Sequence, residues 1–70
     1  MTHNEIWNAF KVTFAMAADI ATCWFPNGKC SIRVRFSNGQ PDLVFTYKNK
    51  KTWKIETVDS YLESIKVEAE

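Results

Sequence analysis

The sequence contains few groups suited to covalent or metal chemistry. Its single histidine, His3, stands near the N-terminus, and with Cys23 and Cys30 it makes too small a set for a structural zinc site. The chain has no carboxylate pair, glycine-rich phosphate loop or nucleophile motif. We therefore expect no enzyme, no metal and no cofactor. We interpret His3 as a surface residue and both cysteines as buried thiols.

Basic residues are concentrated in the middle of the chain. Between Gly28 and Lys54, seven lysines and arginines stand against Asp42 alone, whereas five acidic residues follow Ile55 with only Lys66 to oppose them. An uncompensated basic region attracts acidic protein surfaces or phosphate backbones. Binding to an acidic partner is the expected function, provided that the fold brings these cations to one surface.

The sequence of the middle segment predicts that these cations share one surface. Residues 30–37, 43–48 and 52–56 alternate apolar and polar side chains, and turn-forming residues separate the three runs. This predicts an antiparallel meander of three strands whose apolar side chains point to the core. The basic face, on the opposite side, would present cations from all three strands and from the hairpin tip, namely Arg33, Arg35, Lys48, Lys50, Lys51 and Lys54.

Residues 22–25 are open to two interpretations, because a strong turn signal at Pro26, Asn27 and Gly28 follows them. They are either the end of the first helix or a fourth strand. In the second case Phe25 pairs with Cys30 on the apolar side, and Trp24 lies among the arginines as a stacking platform.

Helices are predicted on both sides of the strands. Thr2 and Glu5 form a capping box, and a polar stripe down an otherwise apolar cylinder predicts helix through about Asp19. Thr57 suits the N-cap of a C-terminal helix, with residues 67–70 fraying. Residues 1–70 are thus expected to form a single α+β domain ordered helix, three or four strands, helix.

The first helix is more apolar than one sheet face requires. Its apolar arc spans about 240°, against the 100° or slightly more that a sheet contact needs. Two explanations remain open. Either the C-terminal helix wraps the excess, or the excess is a homodimer or partner interface formed by Trp7, Phe14, Ala18 and Phe25.

The N-terminal sequence argues against export and membrane insertion. It lacks a basic region and a small-residue cleavage site, and Asn8, Lys11 and Asp19 interrupt the apolar run. We expect a cytoplasmic protein with no membrane partner.

The order helix, three strands, helix is also that of double-stranded-RNA-binding domains. Those domains carry a lysine cluster where this chain has Thr57, Val58, Asp59 and Ser60, so the family is not assigned. In size and lack of catalytic groups the chain resembles the small inhibitors and regulators of phages and mobile elements, anti-CRISPR proteins among them. The resulting hypothesis is stoichiometric binding to an acidic macromolecule, with a protein favoured over nucleic acid.

Overall fold

A four-stranded antiparallel sheet forms the middle layer of the protein, and its strands follow one another in chain order. The computed structural model describes the backbone of residues 2–69 and the side chains of residues 2–65. The predicted α+β class is confirmed, with the fourth strand present. The elements are α1 (His3–Thr13), α2 (Ala15–Ala18), β1 (Ala21–Asn27), β2 (Ser31–Phe36), β3 (Leu43–Asn49), β4 (Thr52–Thr57) and α3 (Val58–Ala69).

The predicted capping box starts α1. The Thr2 hydroxyl accepts a hydrogen bond from the Glu5 amide at 3.3 Å, and the Glu5 carboxylate accepts one from the Thr2 amide at 3.3 Å. Two backbone donors that a helix start leaves without partners are thereby satisfied.

The first helix does not continue to Asp19 as predicted, because it breaks at Phe14. There the backbone leaves helical geometry, with φ −125° and ψ 59°, before the short helix α2 begins. The Phe14 ring packs edge-on against Phe45 at 5.9 Å and against Trp53 at 5.2 Å between ring centroids. These aromatic contacts on the sheet accompany the interruption of the helix at Phe14, which the helical spacing alone did not indicate.

The core lies between α1 and one side of the sheet, which we call the inner face. The register pairs Ile32 with Phe45 and Phe45 with Ile55, so their side chains share that face, as the alternation predicted. Burying each large apolar side chain contributes about 1.5–3 kcal/mol. The core residues that are completely buried are Ile6, Phe10, Ile32, Val34 and Phe45.

Strand β1 is present, but its predicted register is wrong. Phe25 pairs with Arg33 instead of Cys30, and Trp24 pairs with Val34. The residue opposite Phe25 is thus displaced by three positions toward β2. An odd displacement exchanges the two faces of a strand. The turn begins at Gly28, whose φ of 67° is left-handed, and it leaves Asn27 in the strand. Trp24 consequently lies on the inner face, and Phe25 and Cys23 lie on the outer face.

Within the described residues, helix α3 packs against β3 and β4 on the outer face, on the side of the sheet opposite α1. There it does not cover the apolar excess of α1, contrary to the first explanation. The Tyr61 hydroxyl on α3 comes close to the backbone at Gly28, and Val44 and Ser31, both on the outer face, are 1 % and 4 % exposed. Thr57 caps α3 as predicted, its hydroxyl accepting from the Ser60 amide at 3.1 Å. Helix α3 includes residues 67–69, and the fraying of residues 67–70 stays a prediction.

Candidate functional site

The cations predicted for the basic face do lie on the outer side of the sheet or at its β3–β4 hairpin. Arg33 and Arg35 are exposed on β2, and Lys48 and Lys54 are exposed on β3 and β4. Lys50 and Lys51 form the exposed turn between those two strands. Helix α3, however, lies over this surface and contributes residues to two separate clefts. One cleft holds the arginines and the other holds lysines.

The arginine end is partly neutralised by Asp42. Arg33 Nε lies 2.8 Å from Asp42 Oδ2 and donates a hydrogen bond to it, while Arg35 Nε lies 3.7 Å from the same oxygen. The Asp42 side chain is 14 % exposed, which strengthens its hold on the two guanidinium groups. Arg35 also lies over the Phe25 ring, with Cζ 5.2 Å from the ring centroid. Asp59 lines the same cleft, so two carboxylates stand against the two guanidinium groups there.

The lysine end forms a more enclosed site, which we call the lysine cleft. It has a volume of about 480 Å³, and α3 forms one wall while the sheet and its hairpins form the rest. Three ammonium groups reach it from three different segments of the fold, the β1–β2 turn and strands β3 and β4. The cleft is lined by Lys29, Cys30, Ser31, Thr46, Lys48, Thr52, Trp53, Lys54, Glu56, Tyr61, Ser64 and Ile65.

Glu56 holds one of these lysines in position. Its carboxylate lies 3.5 Å from Lys54 Nζ and accepts a hydrogen bond from the Ser60 hydroxyl at 3.1 Å. The Glu56 side chain is 8 % exposed. Among the residues with described side chains, no carboxylate forms an ion pair with Lys29 or Lys48. The lysine cleft therefore keeps an uncompensated positive charge that the arginine end has largely lost.

No protein-family model, curated protein or solved structure matches this chain. Within the part of the chain that the structure describes, no helix has the length and apolar character needed to cross a membrane. The geometry of the outer face is therefore the basis for assigning a function.

Trp24 is not a stacking platform on the basic face, contrary to the prediction. Its ring stacks on Trp7 on the inner face, with centroids 6.2 Å apart and planes 24° apart. The cause is the register of β1, which places the indole on the core side. Phe25 takes its place beside the arginines and is 41 % exposed.

The four residues predicted as a dimer or partner interface do not form one surface. Trp7, Phe14 and Ala18 are half-buried and pack against the core, while Phe25 lies on the opposite side of the sheet. Two other apolar side chains of this region are exposed instead, Val12 at 84 % and Met16 at 88 %. The sheet thus covers only part of the apolar arc of the first helix. Homodimerisation stays a prediction, but the four residues proposed for it do not form a common interface.

The cysteines and His3 also differ from their predicted environments. Both thiols are free, but Cys30 is exposed in the turn and Cys23 is half-buried, so they are not a pair of buried thiols. His3 is half-buried, and its Nε2 lies 2.7 Å from the Gly28 carbonyl oxygen. This contact ties the start of α1 to the turn that carries Lys29.

Sequence reasoning missed the contributions of Lys29, Tyr61 and Ser64 to the site. Lys29 was not among the residues predicted for the basic face, and α3 was not predicted to lie on that face. One signal was present, since Val44 interrupts the polar side of β3 with an apolar residue. An apolar side chain at that position indicates that the outer face is covered.

Proposed function

We propose that this protein is a non-enzymatic binding protein that captures an acidic protein partner through its lysine surface. That surface consists of the lysine cleft and of Lys50 and Lys51, which form the turn between two strands that line the cleft. The observation that carries the proposal is the convergence of Lys29, Lys48 and Lys54 on one cleft. There Glu56, the one acidic residue among the described lining, is already engaged by Lys54.

The charge pattern supports recognition of an acidic surface. Lys50 and Lys51 are exposed in the turn that joins β3 and β4, and Lys50 also lines a cavity beside α1. Exposed lysines of this kind raise the positive potential around the turn. Such charges accelerate association and orient the partner. The enclosed cleft beside them supplies specific contacts. Stoichiometric capture of this kind suits an inhibitor or regulator of the type that phages and mobile elements encode.

Affinity purification with charge-reversed bait tests the proposal. The wild-type chain and the Lys50→Glu/Lys51→Glu variant would be used to capture partners from native lysate, with and without nuclease. The control Lys50→Arg/Lys51→Arg keeps both charges at the same positions. We expect one acidic protein to be captured by the wild type and by the control, in stoichiometric amount, and to be lost with the reversed variant.

Two outcomes of this experiment would contradict the proposal. Capture that is unchanged by charge reversal would show that the lysine surface is not the interface. Capture that disappears on nuclease treatment would show that nucleic acid mediates it. Circular dichroism melting of both variants checks that the exposed turn has been changed without unfolding the domain.

Direct binding of nucleic acid is the second candidate, and one observation favours it. Phe25 is 41 % exposed on the outer face beside Arg35, so an unpaired base would find both an aromatic ring and a guanidinium group there. A salt titration tests this function, because log affinity for duplex DNA falls by about 0.9 per unit of log salt for each phosphate neutralised. No measurable binding of duplex or single strands at about 50 mM salt, where such contacts are strong, would exclude it.

A further inference from the structure

The lysine cleft contains more hydrogen-bond donors than a general attraction for acidic surfaces requires. Hydroxyl groups from the sheet and from α3 share the cleft with the three ammonium groups, and they belong to Ser31, Thr46, Thr52, Tyr61 and Ser64. A phosphoryl group has three terminal oxygens, each of which accepts more than one hydrogen bond. A carboxylate has only two oxygens. The donor set therefore fits a phosphoryl group better than a carboxylate.

The charge of the cleft points to the same group. Lys54 is paired with Glu56 at 3.5 Å, which leaves Lys29 and Lys48 without a carboxylate partner among the described side chains. Two uncompensated positive charges match a phosphomonoester, which carries about −1.5 to −2 at pH 7. A phosphodiester or a sulfate ester carries a single negative charge and leaves one ammonium group unbalanced.

The remaining wall of the cleft is apolar. Tyr61 and Ile65, both on α3, line it, and Ile65 is 39 % exposed. A volume of about 480 Å³ lies within the range of small-ligand sites and accommodates a phosphoryl group with one attached ring. The ring would lie against Tyr61 and Ile65 of α3 while the phosphoryl oxygens face the lysines and the other hydroxyls.

We propose that the lysine cleft binds a phosphomonoester group carried on an aromatic ring. The proposal rests on the proposed function in placing an acidic ligand at the lysine surface, and it specifies the chemistry of that ligand. Such a group occurs on a phosphorylated tyrosine side chain, and a nucleoside monophosphate offers the same combination of phosphoryl group and ring.

Titration of the whole chain with phenyl phosphate, followed by two-dimensional NMR of backbone amides, tests this proposal. We expect saturable shifts at Cys30, Thr52 and Ser64, and binding at least about tenfold tighter than that of phenyl sulfate, which has the same shape and one charge fewer. Affinity should also fall from pH 7.5 to pH 5.5, because the second pKa of a phosphomonoester is about 6. Equal binding of the two esters, or no shifts in the cleft at millimolar phenyl phosphate, would overturn the proposal.

Variants separate this proposal from the proposed function. Lys29→Met/Lys48→Met should weaken phenyl phosphate binding at least about tenfold, whereas Lys50→Met/Lys51→Met, outside the cleft lining, should leave it unchanged. Thr52→Val, which removes one hydroxyl of the cleft without changing its charge, should also weaken phenyl phosphate binding. It serves as a second test if the double lysine variant does not fold. If phenyl phosphate fails to bind but Lys50→Glu/Lys51→Glu still abolishes partner capture, the phosphomonoester proposal is wrong and the proposed function is retained.

Two further ligands distinguish the source of the group. A short phosphotyrosine peptide and a nucleoside 5′-monophosphate are titrated in parallel with phenyl phosphate. Tighter binding of the peptide assigns the site to a phosphorylated protein, and tighter binding of the nucleotide assigns it to a small molecule. Binding of both ligands more weakly than phenyl sulfate would overturn the proposal.

Discussion

Truncating Trp24 and Phe25 separately measures which face of β1 each side chain occupies. Trp24 is half-buried and stacks on Trp7, so Trp24→Ala removes a core contact. A fully buried tryptophan costs about 3–5 kcal/mol when truncated to alanine, and for a half-buried one we expect about 2 kcal/mol. Phe25 is 41 % exposed, and its ring contacts Arg35 in an exposed cation–π pair worth about 0.5–1 kcal/mol.

Urea unfolding followed by far-ultraviolet circular dichroism measures the stability that each of the two alanine substitutions removes. With a slope of about 1 kcal/mol per molar urea for a domain of this size, Trp24→Ala should lower the midpoint by about 2 M and Phe25→Ala by less than about 1 M. Trp24→Phe, which keeps an aromatic ring against Trp7, should recover a substantial part of the loss. A greater loss for Phe25→Ala than for Trp24→Ala would refute the register described here and restore the opposite assignment of faces.

Two further substitutions test the outer face and its turn. Gly28→Ala should cost about 1–2 kcal/mol because Gly28 has a φ of 67°, and Gly39→Ala, at φ 84° with open space around it, should cost the same in urea unfolding. A Gly28→Ala variant as stable as the wild type would contradict the left-handed conformation of this turn. Val44→Ala should cost about 2 kcal/mol by the same measurement, because the side chain is 1 % exposed. A loss near zero would show that α3 does not cover the outer face.

The sheet was predictable from sequence because its signal is local. Alternation fixes which side chains of β2, β3 and β4 share a face, so Ile32, Phe45 and Ile55 were correctly assigned to the core before any pairing was known. The caps at Thr2 and Thr57 were likewise predictable, since each depends on residues within one helical turn.

The register of β1 was not predictable in the same way. Every residue from Pro26 to Lys29 suits a turn, so the sequence does not define where the strand stops. A change in turn position that displaces the pairing by an odd number exchanges Trp24 and Phe25 between faces. The choice depends on the space available beside Trp7, which is a tertiary property. The break at Phe14 has the same origin, in aromatic contacts with Phe45 and Trp53.

The position of α3 decides how the basic residues can act. Because α1 and its aromatic contacts occupy the inner face, the outer face is where α3 packs, and it covers Val44 there. A helix over a basic sheet must leave the cations at its margins. On one margin Asp42 offsets the arginines, whereas on the other Lys29 and Lys48 keep their charge beside a row of hydroxyl groups. Affinity for an anion should therefore reside at the lysine end of a face that the sequence presented as uniformly basic.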